Sequence, residues 1–508
     1  MLLHLYEEKG TDLLQDLNGM YAFVIYDKKK GILFGARDRI GIKPFYYTLK
    51  NGKLAFASEL KSLLVLPWVS RETDFTSLYH FVSLQFVPAP DSIFRDVKKL
   101  PAGYFFIYKP ADNHFSVHRY WDLDVAHTEE RPVAEWQEII REKLKEAVKR
   151  WTLSDVPIAC SLSGGLDSSS IVGLLAVSGA KDIRTYSLGF ESSHEQECNE
   201  LPLARKVSEK WGTKHHEIIL KAEKVLEDIE RMVWHLDEPY GGGLPSWYIY
   251  ELIGRDVKVC LTGTGGDELF SNYGKYRIYE KGGWYMHLKK MRDAFLYHSS
   301  REITDGFKFP KGHFYHRYFS EAVKDELIFA GSNESQLKTE ACLEDTWNRS
   351  NSDNPRNAVA YVDFKLQLPD EFLLVTDRFS MAHSVEARTP FLDHTLVELV
   401  FKIPPVIRTG WGEPKSFFKN VVKKLLPQEL LTAPKKGFVL PLEVWTRNKL
   451  KPLIKDLLSP SYLKQQGIFS EDVYRRIVKP HLSSKRDYTP QVWTLLMFQM
   501  WHRKFVSE

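Results

Sequence analysis

The feature that most constrains this chain is the run Ser163-Gly164-Gly165-Leu166-Asp167-Ser168-Ser169. It lies between the apolar stretch Val156-Pro157-Ile158-Ala159-Cys160-Ser161-Leu162 and Ile171-Val172-Gly173-Leu174-Leu175. A strand, a turn with two glycines and a helix opening on hydroxyl residues aim several backbone N–H groups at one point, where the helix dipole favours an anion. The run is therefore a candidate phosphate cradle. It lacks the Gly-Lys-Ser/Thr ending of the Walker type and carries an acid, Asp167, within the turn. An acid beside bound phosphates calls for a divalent cation, which makes Asp167 a candidate Mg²⁺ ligand. The plainer alternative is a Gly/Ser helix cap that binds nothing.

The segments around this turn alternate between two periodicities. A strand ending at Leu162 is followed by a helix over 168–178, a strand Arg184–Leu188, a helix Glu200–Trp211, a strand His216–Leu220, a helix over 223–235 and a strand Val257–Leu261. Such alternation predicts a doubly wound parallel α/β sheet, whose ligands bind beyond the carboxyl ends of the strands. Ahead of it, Trp136, Ile140, Leu144, Ala147, Val148 and Trp151 recur at helical spacing. From about residue 270 the chain reads as mostly helical.

The opening region has a different pattern. Met20 to Tyr26 and Ile32 to Ala36 flank the turn Asp27-Lys28-Lys29-Lys30-Gly31, and Phe45-Tyr46-Tyr47 and Lys53 to Ala57 are joined through Asn51-Gly52. These are β-hairpin signals, so residues 1–124 are expected to form a mainly antiparallel α+β domain. The polar stretch Asp124 to Pro132 marks the boundary, with a second domain over 133–508.

At 508 residues the chain can bury more than one core. A net charge of +4 and the lack of a dense Lys/Arg stripe argue against a nucleic-acid partner, and Lys143 to Arg150 reads as the wet face of a helix. No apolar run approaches the roughly 20 residues of a membrane span, and no signal-peptide pattern is present, so a cytoplasmic protein is expected. The four cysteines, Cys160, Cys198, Cys260 and Cys342, show no metal-ligand spacing and are read as structural. His215-His216 are read as strand-edge residues, because no third ligand is near in sequence.

Three further segments carry chemistry. A second glycine turn, Thr262-Gly263-Thr264-Gly265-Gly266-Asp267-Glu268, follows the strand Val257–Leu261; if the sheet order joins the two strands, Asp167 and Asp267 share a metal. Asp377-Arg378 leads to Glu386-Ala387-Arg388, where Glu386 and Arg388 suit a pocket for a zwitterion, with a structural salt bridge as the alternative. Ala433-Pro434-Lys435-Lys436-Gly437 places a lysine, Lys435, where it can offset a departing pyrophosphate, or else it is a solvated basic loop.

Taken together these motifs resemble the glutamine-hydrolysing asparagine synthetases over nearly the whole chain. Ser163 to Ser169 is similar to that family's pyrophosphate loop, and Thr262 to Glu268, Glu386 to Asp393 and Lys435 to Phe438 are similar to its later signatures. Leu17-Asn18-Gly19-Met20, Ala36 to Pro44 and Arg119-Tyr120-Trp121-Asp122 resemble parts of its N-terminal glutaminase domain. The resemblance implies an ATP-dependent, AMP-forming amide ligase that converts aspartate to asparagine through β-aspartyl-AMP. Ser161, Ser163, Gly164, Gly165, Asp167, Ser168, Leu188, Thr262 and Gly263 would then contact the nucleotide, Asp167 and Asp267 the Mg²⁺, and Lys435, Glu386 and Arg388 the reacting groups.

Three departures from the family pattern bear on the activity. The family's glutaminase begins with a nucleophilic cysteine, whereas Met1-Leu2-Leu3-His4 resembles a point well inside that domain, so glutamine hydrolysis by this chain is not expected. Ammonia is then used directly, a separate glutaminase supplies it, or the reading frame starts elsewhere. Thr264 stands where relatives carry an acid, and Asp237 to Pro245 forms a glycine-rich loop near the implied acceptor site. An amidotransferase acting on another carboxylate, such as a sugar acid or a peptide side chain, and a non-catalytic scaffold for a separate glutaminase both stay open, as does a homodimer.

Overall fold

A computed structural model describes residues 1–191, 200–270, 307–309, 313–315, 318–329, 338–410, 415–433 and 440–507. Within its first 120 residues two antiparallel sheets form where the hairpin signals lie. Strands β1 (Ala22–Asp27) and β2 (Ile32–Arg37) pair from Ala22 with Arg37 to Asp27 with Ile32. Asp27 closes that turn by accepting the Lys29 and Lys30 amides at 3.0 Å. Strands β3 (Tyr46–Lys50) and β4 (Lys53–Ala57) are joined by Asn51 and Gly52 at φ 51° and 73°, the pair of positive angles a two-residue hairpin turn requires. With β5 (Lys98–Lys99), β6 (Tyr104–Lys109) and β7 (His114–Arg119), the orders are β1-β2-β6-β7 and β4-β3-β5.

The second half is built on a five-stranded parallel sheet. Its strands are β8 (Ile158–Ser161), β9 (Arg184–Phe190), β10 (Lys214–Leu220) and β11 (Val259–Leu261), followed, after the short hairpin β12 (Phe307–Phe309) and β13 (His313–Tyr315), by β14 (Glu386–Arg388). The order is β10-β9-β8-β11-β14, all parallel, so the strand order reverses between β8 and β11. The doubly wound α/β expectation holds, and so does the largely helical remainder among the described residues. The helix Val133–Trp151 buries all six residues of the predicted stripe, while its outer face carries exposed pairs such as Lys143 with Glu146.

The sequence reading missed β14, which completes the sheet with only three residues. It also missed the helix Ser246–Gly254. Cys160 and Cys260 lie buried on β8 and β11; burial pushes both thiols up, Cys260 to about 12, as inert core thiols require. Cys342 is half-buried, and Cys198 falls outside the described residues. On the edge strand β10, His215 Nδ1 lies 2.9 Å from Thr185 Oγ1 and the His216 ring stacks on Tyr186.

The Asp124–Pro132 stretch divides two architectures, and two of the apolar clusters run across it. One apolar cluster joins Tyr46, Leu60, Phe81 and Phe94 to Leu236, Trp247, Trp493 and Trp501. Another joins Ile40 and Ile42 to Trp136, Leu162, Val172 and Phe418. A buried ionic seam runs beside them. Lys99 Nζ lies 2.8 Å from Glu238 Oε2, and Glu238 also accepts the Tyr46 hydroxyl and the Ile93 amide. Asp237 takes Lys61 at 2.8 Å, Arg378 at 3.1 Å and the Leu60 amide at 2.7 Å. Lys43 reaches Asp377 at 2.8 Å.

Asp237 and Glu238, which open the glycine-rich loop, are thus buried in this seam, and Asp377 and Arg378 belong to it as well. Desolvation in it raises the Glu238 carboxyl, with Lys99 acting against the shift. Lys99 is 3% and Glu238 1% exposed, so removing one partner strands the other charge. We expect Lys99→Met to cost about 3–5 kcal/mol in urea unfolding, and Lys99→Met/Glu238→Gln to recover much of that loss.

His80 is buried at the contact between helices Phe75–Leu84 and Thr339–Arg349, with Nδ1 3.0 Å from Thr339 Oγ1. Desolvation, then Lys324, lowers its pKa to about 4. Between about 4 and the unfolded value near 6.5 the unfolded chain binds a proton that the native protein does not, so stability falls as pH drops through that window. The unfolding free energy of His80→Asn should therefore fall less steeply from pH 6.5 to 5 than that of the native chain, by up to about 1.4 kcal/mol per pH unit.

Candidate active site

The reversal between β8 and β11 sets the two glycine turns side by side at the carboxyl edge of the sheet, the position where doubly wound sheets bind ligands. Leu162 N–H bonds to Tyr186 O at 2.8 Å on one side, and Thr262 N–H bonds to Arg388 O at 2.8 Å on the other. The turns touch. A Cβ on Gly263 would stand 2.7 Å from the Ser168 amide nitrogen, and one on Gly266 would stand 2.5 Å from Asp167 Oδ1. Gly164, at φ 86°, passes so close to the Glu200 carbonyl that a Cβ would come within 2.6 Å of it.

Hydroxyls hold the first turn in shape. Ser168 Oγ accepts the Ser163 amide at 3.2 Å and lies 3.0 Å from Ser163 Oγ, which accepts the Gly165 amide at 3.3 Å. The helix Leu166–Val177 starts there, with Asp167 in its first turn. Ser161 ends β8 opposite Tyr186, and Leu188 lies two residues further along β9. In the second turn Thr262 Oγ1 donates to Thr264 Oγ1 at 3.0 Å.

Asp167 and Asp267 converge on one positive centre. Lys415 Nζ lies 2.6 and 2.5 Å from the two Asp167 oxygens and 2.6 Å from Asp267 Oδ1. Burial alone would disfavour the ammonium, but the two carboxylates outweigh it and hold the lysine above its ordinary range. One ammonium thus offsets half the charge of the two acids at a point next to the glycine turns, and the paired carboxylates are an oxygen donor set of the kind a phosphate-bound Mg²⁺ takes. Sequence reasoning missed Lys415, which is 248 residues from Asp167. Its only local signal is a lysine opening the apolar helix Ser416–Val422.

Glu386 and Arg388 are not brought into this cluster. Arg388 Nε donates to Glu386 Oε1 at 2.7 Å, and its Nη1 donates to the Trp151 and Leu153 carbonyls. Here the two form an ion pair with each other, as in the salt-bridge alternative. Asp393, at the end of the same segment, pairs with Arg150 and Trp151 Nε1. Lys435 lies outside the described residues.

Residues 139–503 match the protein family described as Asparagine synthase. The chain belongs to this family. Residues 1–121 match a second family, described as Glutamine amidotransferase domain. Asparagine synthetase (glutamine-hydrolyzing) 1 of Bacillus subtilis is 29% identical over 99% of this chain and 80% of its own length. Asparagine synthetase (glutamine-hydrolyzing) 3 of the same organism is 28% identical over 86% of this chain and 70% of its own. Amidase chyE of Penicillium rubens is 27% identical over 92% of this chain and 76% of its own. Family membership makes the chain a carbon–nitrogen ligase that uses ATP. Among the described residues no helix is long and apolar enough to cross a membrane.

The close approach of the turns gives a direct test. In Gly266→Ala the added methyl pushes the Asp167 carboxylate out of place. ATP affinity measured by calorimetry should fall at least about tenfold, with the far-ultraviolet circular dichroism spectrum unchanged.

Proposed function

We propose that this chain activates the side-chain carboxylate of aspartate with ATP, releases pyrophosphate, and passes nitrogen to the resulting acyl-adenylate to give asparagine and AMP. The observation that carries the reading is the shared cation of Asp167 and Asp267 beside two glycine turns at the point where the strand order reverses. In this reading the amides of Gly164, Gly165 and the first helical turn face the phosphates, where a helix N-terminus favours negative charge. Ser163 and Ser168 keep the turn open to them, while Ser161, Leu188, Thr262 and Gly263 flank the nucleoside.

Asp167 and Asp267 would hold Mg²⁺, which when bound supplies positive charge to the phosphate oxygens. Lys415, and Lys435 from outside the described residues, offset the charge that grows on pyrophosphate as it leaves. No side-chain nucleophile is needed, because the carboxylate of the substrate attacks the α-phosphorus and the work of the protein is alignment and charge stabilisation. Glu386 and Arg388 are left out of this set, their charges being taken up by each other and by two backbone carbonyls.

A second reading has support of its own, since the relative named as an amidase matches 92% of the chain. In it the same site adenylates a different carboxylate. Pyrophosphate release measured over a panel of carboxylic acids, with ammonium or with glutamine, separates the two. Aspartate-dependent release supports the first reading; release with another acid and none with aspartate overturns it. Asp167→Ala should abolish release with any acceptor, and retained turnover would show that the metal role is misassigned.

A further inference from the structure

We infer that Lys415 is a resident counter-ion that bars a bare divalent cation from Asp167 and Asp267, so that the metal reaches these carboxylates only together with the nucleotide. The inference rests on the reading of the site as one for a metal nucleotide, and it goes further by assigning an order of arrival.

The geometry that supports it is specific. Both carboxylates address the same ammonium at 2.5–2.6 Å, where a divalent ion would need to stand to meet both. The lysine is 1% exposed, and its side chain packs near the Phe418 ring, 5.9 Å from the centroid. Its backbone sits at φ 58° and ψ 19°, a left-handed conformation that a lysine rarely adopts unless its surroundings impose it. That posture places the side chain at the start of the helix Ser416–Val422, aimed back into the turns.

A hydrated cation approaching alone meets a pair of acids half of whose charge the ammonium already offsets, and binding between them would set two positive centres in contact. A nucleotide changes the balance. Its phosphates bring negative oxygens to the same spot, which give the ammonium new partners and complete the oxygen shell that a small divalent ion prefers. Removing the ammonium should therefore open the carboxylates to the bare ion.

The test uses Mn²⁺ as the probe, followed through the loss of its free-ion electron paramagnetic resonance signal in the full-length protein without nucleotide. We expect Lys415→Met to bind Mn²⁺ at least about tenfold more tightly than the native chain, and Asp167→Asn/Lys415→Met to return to the native level. Lys415→Gly, which suits the left-handed backbone, should behave as Lys415→Met does and covers the case in which the methionine variant fails to fold. Mn²⁺ affinities of both single variants equal to that of the native chain overturn the inference, as does tight binding of bare Mn²⁺ by the native chain. The function reading is checked separately with a non-hydrolysable ATP analogue. Native protein that holds Mn²⁺ with the analogue keeps that reading whatever the variants do, and native protein that holds neither loses both.

Discussion

The site depends on the contact between two glycine turns. Strands β8 and β11 are neighbours only because the strand order reverses there, and the turns that leave them can touch only because Gly263 and Gly266 lack side chains. That contact brings Asp167 and Asp267, a hundred positions apart in sequence, to within reach of one ammonium. Two carboxylates this close repel unless a positive charge stands between them. The lysine satisfies that requirement, and the same requirement makes the place suitable for a metal-bound polyphosphate.

The contact between the two architectures is of another kind. It combines apolar packing with buried ions, among them Lys99 with Glu238 and Arg378 with Asp237. Burying ions costs free energy that their mutual attraction can fail to repay, so such pairs add little net stability while intact and cost much when one partner is lost. The short loop Arg37 to Lys43 is shaped in a similar way. Asp38, fully buried, accepts the amides of Ile40, Gly41, Ile42 and Lys43, and this aims the Lys43 side chain at Asp377.

Much of this was legible in the sequence where the signal is periodic or local. The helix Val133–Trp151 follows from its apolar spacing, the β3–β4 hairpin from Asn51-Gly52, and the order of strands and helices from Leu162 to Leu261 from the alternation of their patterns. The meeting of Asp167 and Asp267 was also anticipated, conditional on a strand order that the alternation alone does not specify. What escaped has a common cause. A three-residue strand such as Glu386–Arg388 is too short to show a period, and its charges resemble a pocket as much as a bridge. Lys415 is a single residue whose meaning depends on partners far away in the chain. Asp237 and Glu238 read only as the start of a glycine-rich loop because nothing local shows that the fold buries them in an ionic seam.

The interleaved interiors have a consequence for how such a chain is inherited and handled. Tyr46 and Phe81 share their packing with Trp247 and Trp501, and Ile40 and Ile42 share theirs with Trp136 and Phe418. A cut between the halves would leave each fragment with aromatic and aliphatic surface bared to water, the first half keeping only its own smaller clusters around Phe34 and Phe106. Exchanging either half for that of another protein therefore requires a partner whose side chains complete these shared clusters.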